Sequence, residues 1–407
     1  MPKASRAQSG TSADLFAKCS SPRVEEYRLA RSVGLLPYFQ EMASVSGPVV
    51  RHDGHDVIML GSNNYLGLTD DPRVKAASID AVERFGSGCT GSRLMNGTLP
   101  VHLELEEELR DWVGGEACLV FSTGYAVNLG VISTLVSSRD VIFVDASSHA
   151  SIIDGARLAS GSLKSFRHNS VEALERRLGE WATRAEGAAA LVAVDGIYSM
   201  EGDLAPVGAI GEVCVRTGAR FLVDEAHAIG VLGPTGAGSA ADAGVEADLI
   251  MGTFSKSLAS CGGFVTGPTD VIDFLRVSCR PFLFTAAGVP AAMGAALAAT
   301  RIARREDWRR QAVAARADQL RRGLRQLGYD AGPEQGGAIV AIQIGEDWAA
   351  ARLWRTLVDA GVYTNCAIAP AVPPGRAILR TSVMATHSEQ QIDEALAAFE
   401  VARSTLA

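Results

Sequence analysis

RFLVDEAH (220–227) and DLIMGTFS (248–255) decide the fold: each is a short apolar run that ends in residues able to do chemistry. Neither run alternates apolar with polar residues, and the same holds for ACLVF (117–121), VIFVD (141–145), ALVAVDG (190–196) and GFVTG (263–267). Unbroken apolar runs suit strands buried on both faces, as in a parallel sheet covered by helices. The intervening segments carry helical spacing: Leu103, Leu105 and Leu109 before Trp112, then Val171, Leu174 and Leu178, then Ile210, Val213 and Val215 before Gly218. The rhythm predicts βαβ units and a doubly wound α/β domain with a mostly parallel sheet.

From about Val289 the pattern changes to long helices rich in Ala and Arg, then GGAIVAIQIG (336–345), another helix, a proline-rich loop (370–374) and a last amphipathic helix after His387. We read residues 51–288 as the large domain and 289–407 as a smaller C-terminal α+β domain. Residues 1–50, with the helical EEYRLARSVGLLPYFQEM, are expected to pack near the small domain. At 407 residues, 47% hydrophobic and 21% charged, the chain can bury a substantial core. A net charge of −8 argues against nucleic-acid or anionic-membrane partners. With no stretch of eighteen apolar residues and a polar N-terminus, a soluble, cytoplasmic protein without a membrane span is expected. The seven cysteines are scattered without a C-x-x-C, which fits neither a disulfide framework nor a zinc site, so no metal is expected. Cys118 and Cys214 read as core packing, whereas Cys89 and Cys261 sit in glycine-rich turns where a reactive role stays open.

VDEAHAIG (223–230) and GTFSKS (252–257) lie at the carboxyl ends of predicted strands, where open α/β sheets place their ligands. Asp224, His227 and Lys256 should therefore converge. Singly, Asp224 reads equally as a strand-end cap and Lys256 as a solvated loop charge. Together they match the needs of pyridoxal 5′-phosphate (PLP): an amine for a Schiff base, and an acid that keeps the ring nitrogen protonated. FSTGYAVN (121–128) adds a strand, a Thr-Gly turn and a helix start, so the amides of Gly124 and Tyr125 form an anion site. Thr123, Thr253 and Ser255 supply hydroxyls to a phosphate there, and the Tyr125 side chain is expected to be free to contact the cofactor. In DASSHASIIDGA (145–156), His149 sits at the turn, where its ring either stacks on the cofactor or simply caps the helix.

These stretches, with SNNYLGL (62–68), GSGCTGSRLMNGT (86–98) and DGIYSMEGDLAP (195–206), resemble the α-oxoamine synthase family of fold-type I PLP enzymes, over nearly the whole chain. CRPFLFTAA (279–287), AIVAI and the helix ending in GVYTN (361–365) resemble most closely its soluble bacterial serine palmitoyltransferase-like members. The resemblance implies a large domain with a seven-stranded sheet. It also implies decarboxylative condensation of a small L-amino acid (Ser, Ala or Gly) with an acyl thioester, on coenzyme A or acyl carrier protein. The products are an α-amino ketone, CO₂ and free thiol. Amino-oxononanoate synthase, aminoketobutyrate ligase and plain aminotransferase activities remain alternatives.

Carried over by position, the resemblance makes Lys256 the Schiff-base lysine and proton acceptor. Asp224 becomes the partner of the ring nitrogen, His227 that of the phenolic oxygen, and His149 the stacking residue, with Ser199 nearby. Asn63, Tyr65 and Arg380 fall where the amino acid is held, Arg380 as the fork for its carboxylate. Thr285 matches a residue that reaches the neighbouring subunit's phosphate, which implies a homodimer with shared active sites. One departure stands out: Ile368 occupies a position where these relatives usually carry arginine. Separately, residues 301–325 hold nine arginines against three acids, which suggests either a dock for an acidic carrier protein or the solvated face of an amphipathic helix.

Overall fold

The computed structural model describes residues 14–183, 187–333, 336–369 and 371–406. Residues 1–13 of the N-terminal segment and Pro370 of the proline-rich loop lie outside them. The apolar runs form one seven-stranded sheet in the order Ala117–Phe121, Gly263–Gly267, Leu249–Thr253, Arg220–Asp224, Ala190–Asp195, Val141–Asp145, Ser162–Phe166. Every pairing is parallel except those of Gly263–Gly267, which runs antiparallel to both neighbours. All residues of Val141–Asp145 and Ala190–Asp195 are buried, as two-sided helix cover demands. The polar strand Ser162–Phe166 closes one edge, where its exposed serines and Lys164 cost nothing.

Helices Gly124–Leu135 and Ala150–Leu158 pack their apolar sides on one face of the sheet, and Val171–Ala182 and Val207–Thr217 on the other. Two residues expected to face inward do not: Leu103 is 45% exposed and Val215 is 83% exposed. The buried faces are instead Leu105, Leu109 and Trp112, and Ile210, Val213 and Cys214.

A second, antiparallel sheet joins Ile339–Gly345, Ala377–Ser382 and Asn365–Ala367. Val49–His52 and His55–Met59 form a hairpin whose Asp53-Gly54 turn has positive φ at both residues, 47° and 79°. Val362–Tyr363 adds to that hairpin in parallel, tying the two ends of the chain together. Among the described residues no helix is long and apolar enough to cross a membrane.

The arginine-rich stretch is neither an open dock nor a merely solvated face. Arg309 and Arg310 are 5% and 8% exposed. Arg309 binds Asp71 at 3.0 Å, Glu306 at 2.8 Å and the Leu66 carbonyl at 2.6 Å. Arg301 and Arg304 bind Glu104 and Glu108, and Arg316 binds Glu389. The local excess of positive charge is thus largely neutralised by acids distant in sequence. Replacing Arg309 by Ala should cost about 3 kcal/mol, because Asp71 would stay buried with less compensation. A shift of the denaturation midpoint worth less than about 1 kcal/mol would show that the tie is dispensable.

Candidate active site

The carboxyl ends of the central strands open onto a cavity of about 350 Å³. Thr123, Gly124, Tyr125, His149, Asp224, His227, Thr253, Ser255 and Lys256 all line it. The register places Asp195 directly beside Asp224, so a second carboxylate, also lining the cavity, enters the same floor.

Asp224 is 3% exposed and accepts from Asn128 Nδ2 at 2.7 Å and from the Ala226 amide at 2.9 Å. Its two oxygens are thereby fixed before any ligand arrives. Burial pushes the Lys256 amine down to about 8, with Asp224 and Asp195 pulling it up and Arg380 pushing it further down. Roughly a quarter of such an amine is neutral and nucleophilic at pH 7.5, against about one in a thousand for an ordinary lysine. Burial, and then the charge of Asp224, raises the Asp195 carboxyl well above the usual range. Asp195 Oδ2 also accepts the His149 amide at 3.1 Å. The His149 side chain caps the helix Ala150–Leu158, its Nδ1 accepting from the Ser151 amide at 3.2 Å. That bond leaves the ring proton on Nε2. Burial lowers the His149 pKa against the pull of Asp224, so the ring is neutral.

A second cluster adjoins the first through His227. Arg380 Nη2 donates to Tyr65 Oη at 3.3 Å and to Asn63 Oδ1 at 3.0 Å, and Nε donates to the Ser199 carbonyl at 2.5 Å. Guanidinium groups only donate, so the Tyr65 oxygen must accept. Its own proton goes to Asn63 Oδ1, 3.1 Å away, an oxygen that can only accept, and His227 Nδ1 lies 2.6 Å from the same Tyr65 oxygen. Burial, together with the charges of Lys256, Arg380 and His149, holds His227 well below its ordinary pKa. The ring is therefore neutral, and it lines the cavity. Arg380 is 4% exposed, and no carboxylate among the described residues pairs with it. A buried cation in that state is built to receive an anion.

The anion cradle follows from backbone approach. A Cβ on Gly124 would lie 2.6 Å from Thr253 Oγ1, so only glycine brings the helix start this close to the neighbouring strand end. Thr123 Oγ1 caps the helix by accepting from the Ala126 amide, which leaves the Gly124 and Tyr125 amides for a ligand. Thr253 and Ser255 hydroxyls sit 2.9 Å apart at the same end. Amides, hydroxyls, a lysine and a fixed carboxylate in one cavity fit the donor set that PLP requires.

The Tyr125 hydroxyl is not free, since it donates to Asp154, and its ring stands 6.3 Å from that of His149 at 73°. Thr285 is exposed, just past the helix Arg280–Leu283, and does not line its own chain's cavity. Ile368 lines a separate groove of about 630 Å³ with Leu36, Tyr38, Trp348 and Ala351. Cys261 lines the cavity, whereas burial raises the Cys89 thiol pKa and so suppresses its thiolate. Asn128, Ser151 and Asp195 complete the floor and were not anticipated as site residues, although Asn128 ends FSTGYAVN and Asp195 ends a buried strand.

The chain belongs to the aminotransferase class I and II family, whose model matches residues 55–399. Its architecture is that of fold-type I PLP-dependent transferases. Among its relatives, the serine palmitoyltransferase of Sphingomonas paucimobilis is 41% identical over 96% of this chain and 93% of its own. That of Caulobacter vibrioides is 45% identical over 91% and 92%. The solved serine palmitoyltransferase of Sphingomonas wittichii superimposes with a TM-score of 0.92 at 42% identity, covering 97% of this chain and 99% of that one. A serine palmitoyltransferase solved with PLP gives the same TM-score, 0.92, at 40% identity, with coverage of 97% and 99%.

Proposed function

We propose that this chain is a PLP-dependent α-oxoamine synthase of the serine palmitoyltransferase type. It joins a small L-amino acid, serine foremost, to an acyl thioester and releases CO₂ and free thiol. The observation that carries the reading is a half-buried lysine with a depressed pKa sharing one cavity with a fixed carboxylate, beside a buried guanidinium that has no acidic partner among the described residues. When bound, PLP supplies a carbonyl for the lysine and a cationic ring that takes up the electrons of a carbanion.

The Gly124 and Tyr125 amides, with Thr123, Thr253 and Ser255, would hold its phosphate, and Asp224 would keep a proton on its ring nitrogen. His149 would cover the ring, and His227 would bond the phenolic oxygen. Arg380, with Asn63 and Tyr65, orients the substrate carboxylate. Lys256, as a free amine, removes the proton from the substrate Cα and later returns one. The groove lined by Leu36, Tyr38, Trp348 and Ile368 is apolar enough for an acyl chain. An apolar Ile368 suits that wall, which leaves Arg380 as the carboxylate's cation.

The exposed Phe284, Leu94 and Met95 (71%, 53% and 78%) flank Thr285 on a surface joined by the Ser92–Ala286 bridge. This patch supports a homodimer in which Thr285 serves the partner's phosphate. Coenzyme A is the favoured thioester carrier, given the neutralised arginine face, and the cytoplasm the favoured location. The test incubates the PLP-loaded protein with serine, alanine or glycine and palmitoyl-coenzyme A. One CO₂ and one free thiol are expected per amino ketone formed. Conversion of PLP to its amine form with release of neither would establish an aminotransferase instead.

A further inference from the structure

We propose that His168 is a positioning residue for Arg380, acting through the turn at 197–204; the proposal rests on the amino-acid chemistry argued above. His168 follows the edge strand and lies outside the cavity lining. Its Nδ1 is 2.8 Å from Asp145 Oδ1 and its Nε2 is 2.9 Å from Asp203 Oδ2. Ionised carboxylates only accept, so both ring nitrogens must donate and the ring is a cation. Burial opposes that charge, but the bonds to the two carboxylates outweigh it and raise the ring's pKa to about 10. A permanent imidazolium thus bridges two acids from different parts of the fold.

The two acids have different duties. Asp145 is fully buried at the end of its strand and also accepts the Ser147 and Asn169 amides, both at 2.8 Å, so it is an immobile anchor. Asp203 belongs to the turn closed by the Ile197–Leu204 bridge, within which Tyr198 N bonds Asp203 O at 3.0 Å. The Tyr198 ring stands edge-on to His168, 4.5 Å between centroids. Asn169, held at φ 53°, donates to Asp203 Oδ2 at 2.8 Å and to the Leu204 carbonyl at 3.1 Å. The next residue along the turn, Ser199, offers its carbonyl oxygen to Arg380 Nε. His168 therefore locks to the sheet the same turn that aims the guanidinium. One histidine with two aspartates also suits a metal, but among the described residues no group of three or more His, Cys, Asp or Glu is placed to hold one.

The test compares His168→Ala with wild type in the PLP-loaded enzyme. The KM for the amino acid should rise about tenfold, since a charged hydrogen-bonded bridge is lost. The KM for the thioester and the affinity for PLP should stay within about twofold, a split that general loosening of the fold would not produce. In an Arg380→Ala background the same change should add nothing, because the two residues act as one unit. If His168→Ala does not fold, Asp203→Asn weakens the bridge from the turn side and should give the same split in smaller degree. In the protein without PLP, ¹⁵N spectra should show the His168 ring doubly protonated at pH 8. An unchanged amino-acid KM, an equal rise in the Arg380→Ala background, or a neutral ring at pH 8 overturns the proposal. Failure of the functional reading shows in the wild type, which would then turn over no amino acid and take this inference with it; failure of the clamp alone shows only in the variants or the spectrum.

Discussion

Lys256→Ala should lose at least about a thousandfold in turnover, because in the proposed reaction it removes both the covalent attachment point and the base that moves the Cα proton. The visible absorbance that wild type gains with PLP should disappear with it. Retention of either would sever Lys256 from the chemistry. The same lysine makes a separate prediction on stability in the protein without PLP. Its pKa is about 8 in the fold and 10.5 in an exposed chain, so below pH 8 folding must bury a cation that burial disfavours. Between those two values the unfolded chain binds the extra proton, and stability rises with pH across that window. Lys256→Met keeps most of the volume and removes the charge. It should therefore be more stable than wild type by up to about 3 kcal/mol at pH 7. The advantage should shrink as pH rises from 8 and vanish above about 10.5. A constant difference across that range would show that the amine is not strained by burial.

Lys256, Asp224 and His227 were legible because each follows an apolar run at a strand end, a position that means the same thing in every open α/β sheet. The inward helix faces were legible only in part. Leu103 and Leu105 are two residues apart, as are Val213 and Val215, and positions so spaced cannot share one helix face. The spacing itself marks one of each pair as outward. The arginine stretch shows a different limit. Its meaning depends on Asp71, 238 residues before Arg309, and on Glu104 and Glu108, none of which enters a local charge count. Asn128 and Asp195 sat inside motifs already singled out, but a helix-borne amide and a strand-end acid become site residues only when the register sets them beside Asp224. The Tyr65–His227 contact spans 162 residues, so it has no sequence signature at all.

Asp224→Asn should lower turnover at least about a hundredfold while leaving the fold nearly intact, because the charge matters to the chemistry and the shape to the packing. The amide placed there can still accept from the Ala226 N–H through one oxygen. Its NH₂ would meet the NH₂ of Asn128, a clash of two donors unless Asn128 turns its own amide over. Among the described residues Asn128 Oδ1 is buried without a partner, so turning it gains a bond to the new NH₂ at the cost of the Asn128–Ser151 bond, because the Ser151 hydroxyl already donates to His149 Nδ1 at 2.7 Å. The stability cost should therefore stay within about 2 kcal/mol, the loss of that one bond. A second measurement separates electrostatics from geometry. Asp224 supports the charged form of Lys256, so removing its charge leaves burial less opposed and the amine should titrate below about 8. The rate at which the protein without PLP reacts with a simple aromatic aldehyde reports that titration directly, and its midpoint should move to lower pH. If turnover falls but the midpoint stays, Asp224 acts only on the ligand and not on the lysine. If neither changes, the carboxylate is a strand-end cap and the two-cluster site loses its electrostatic centre.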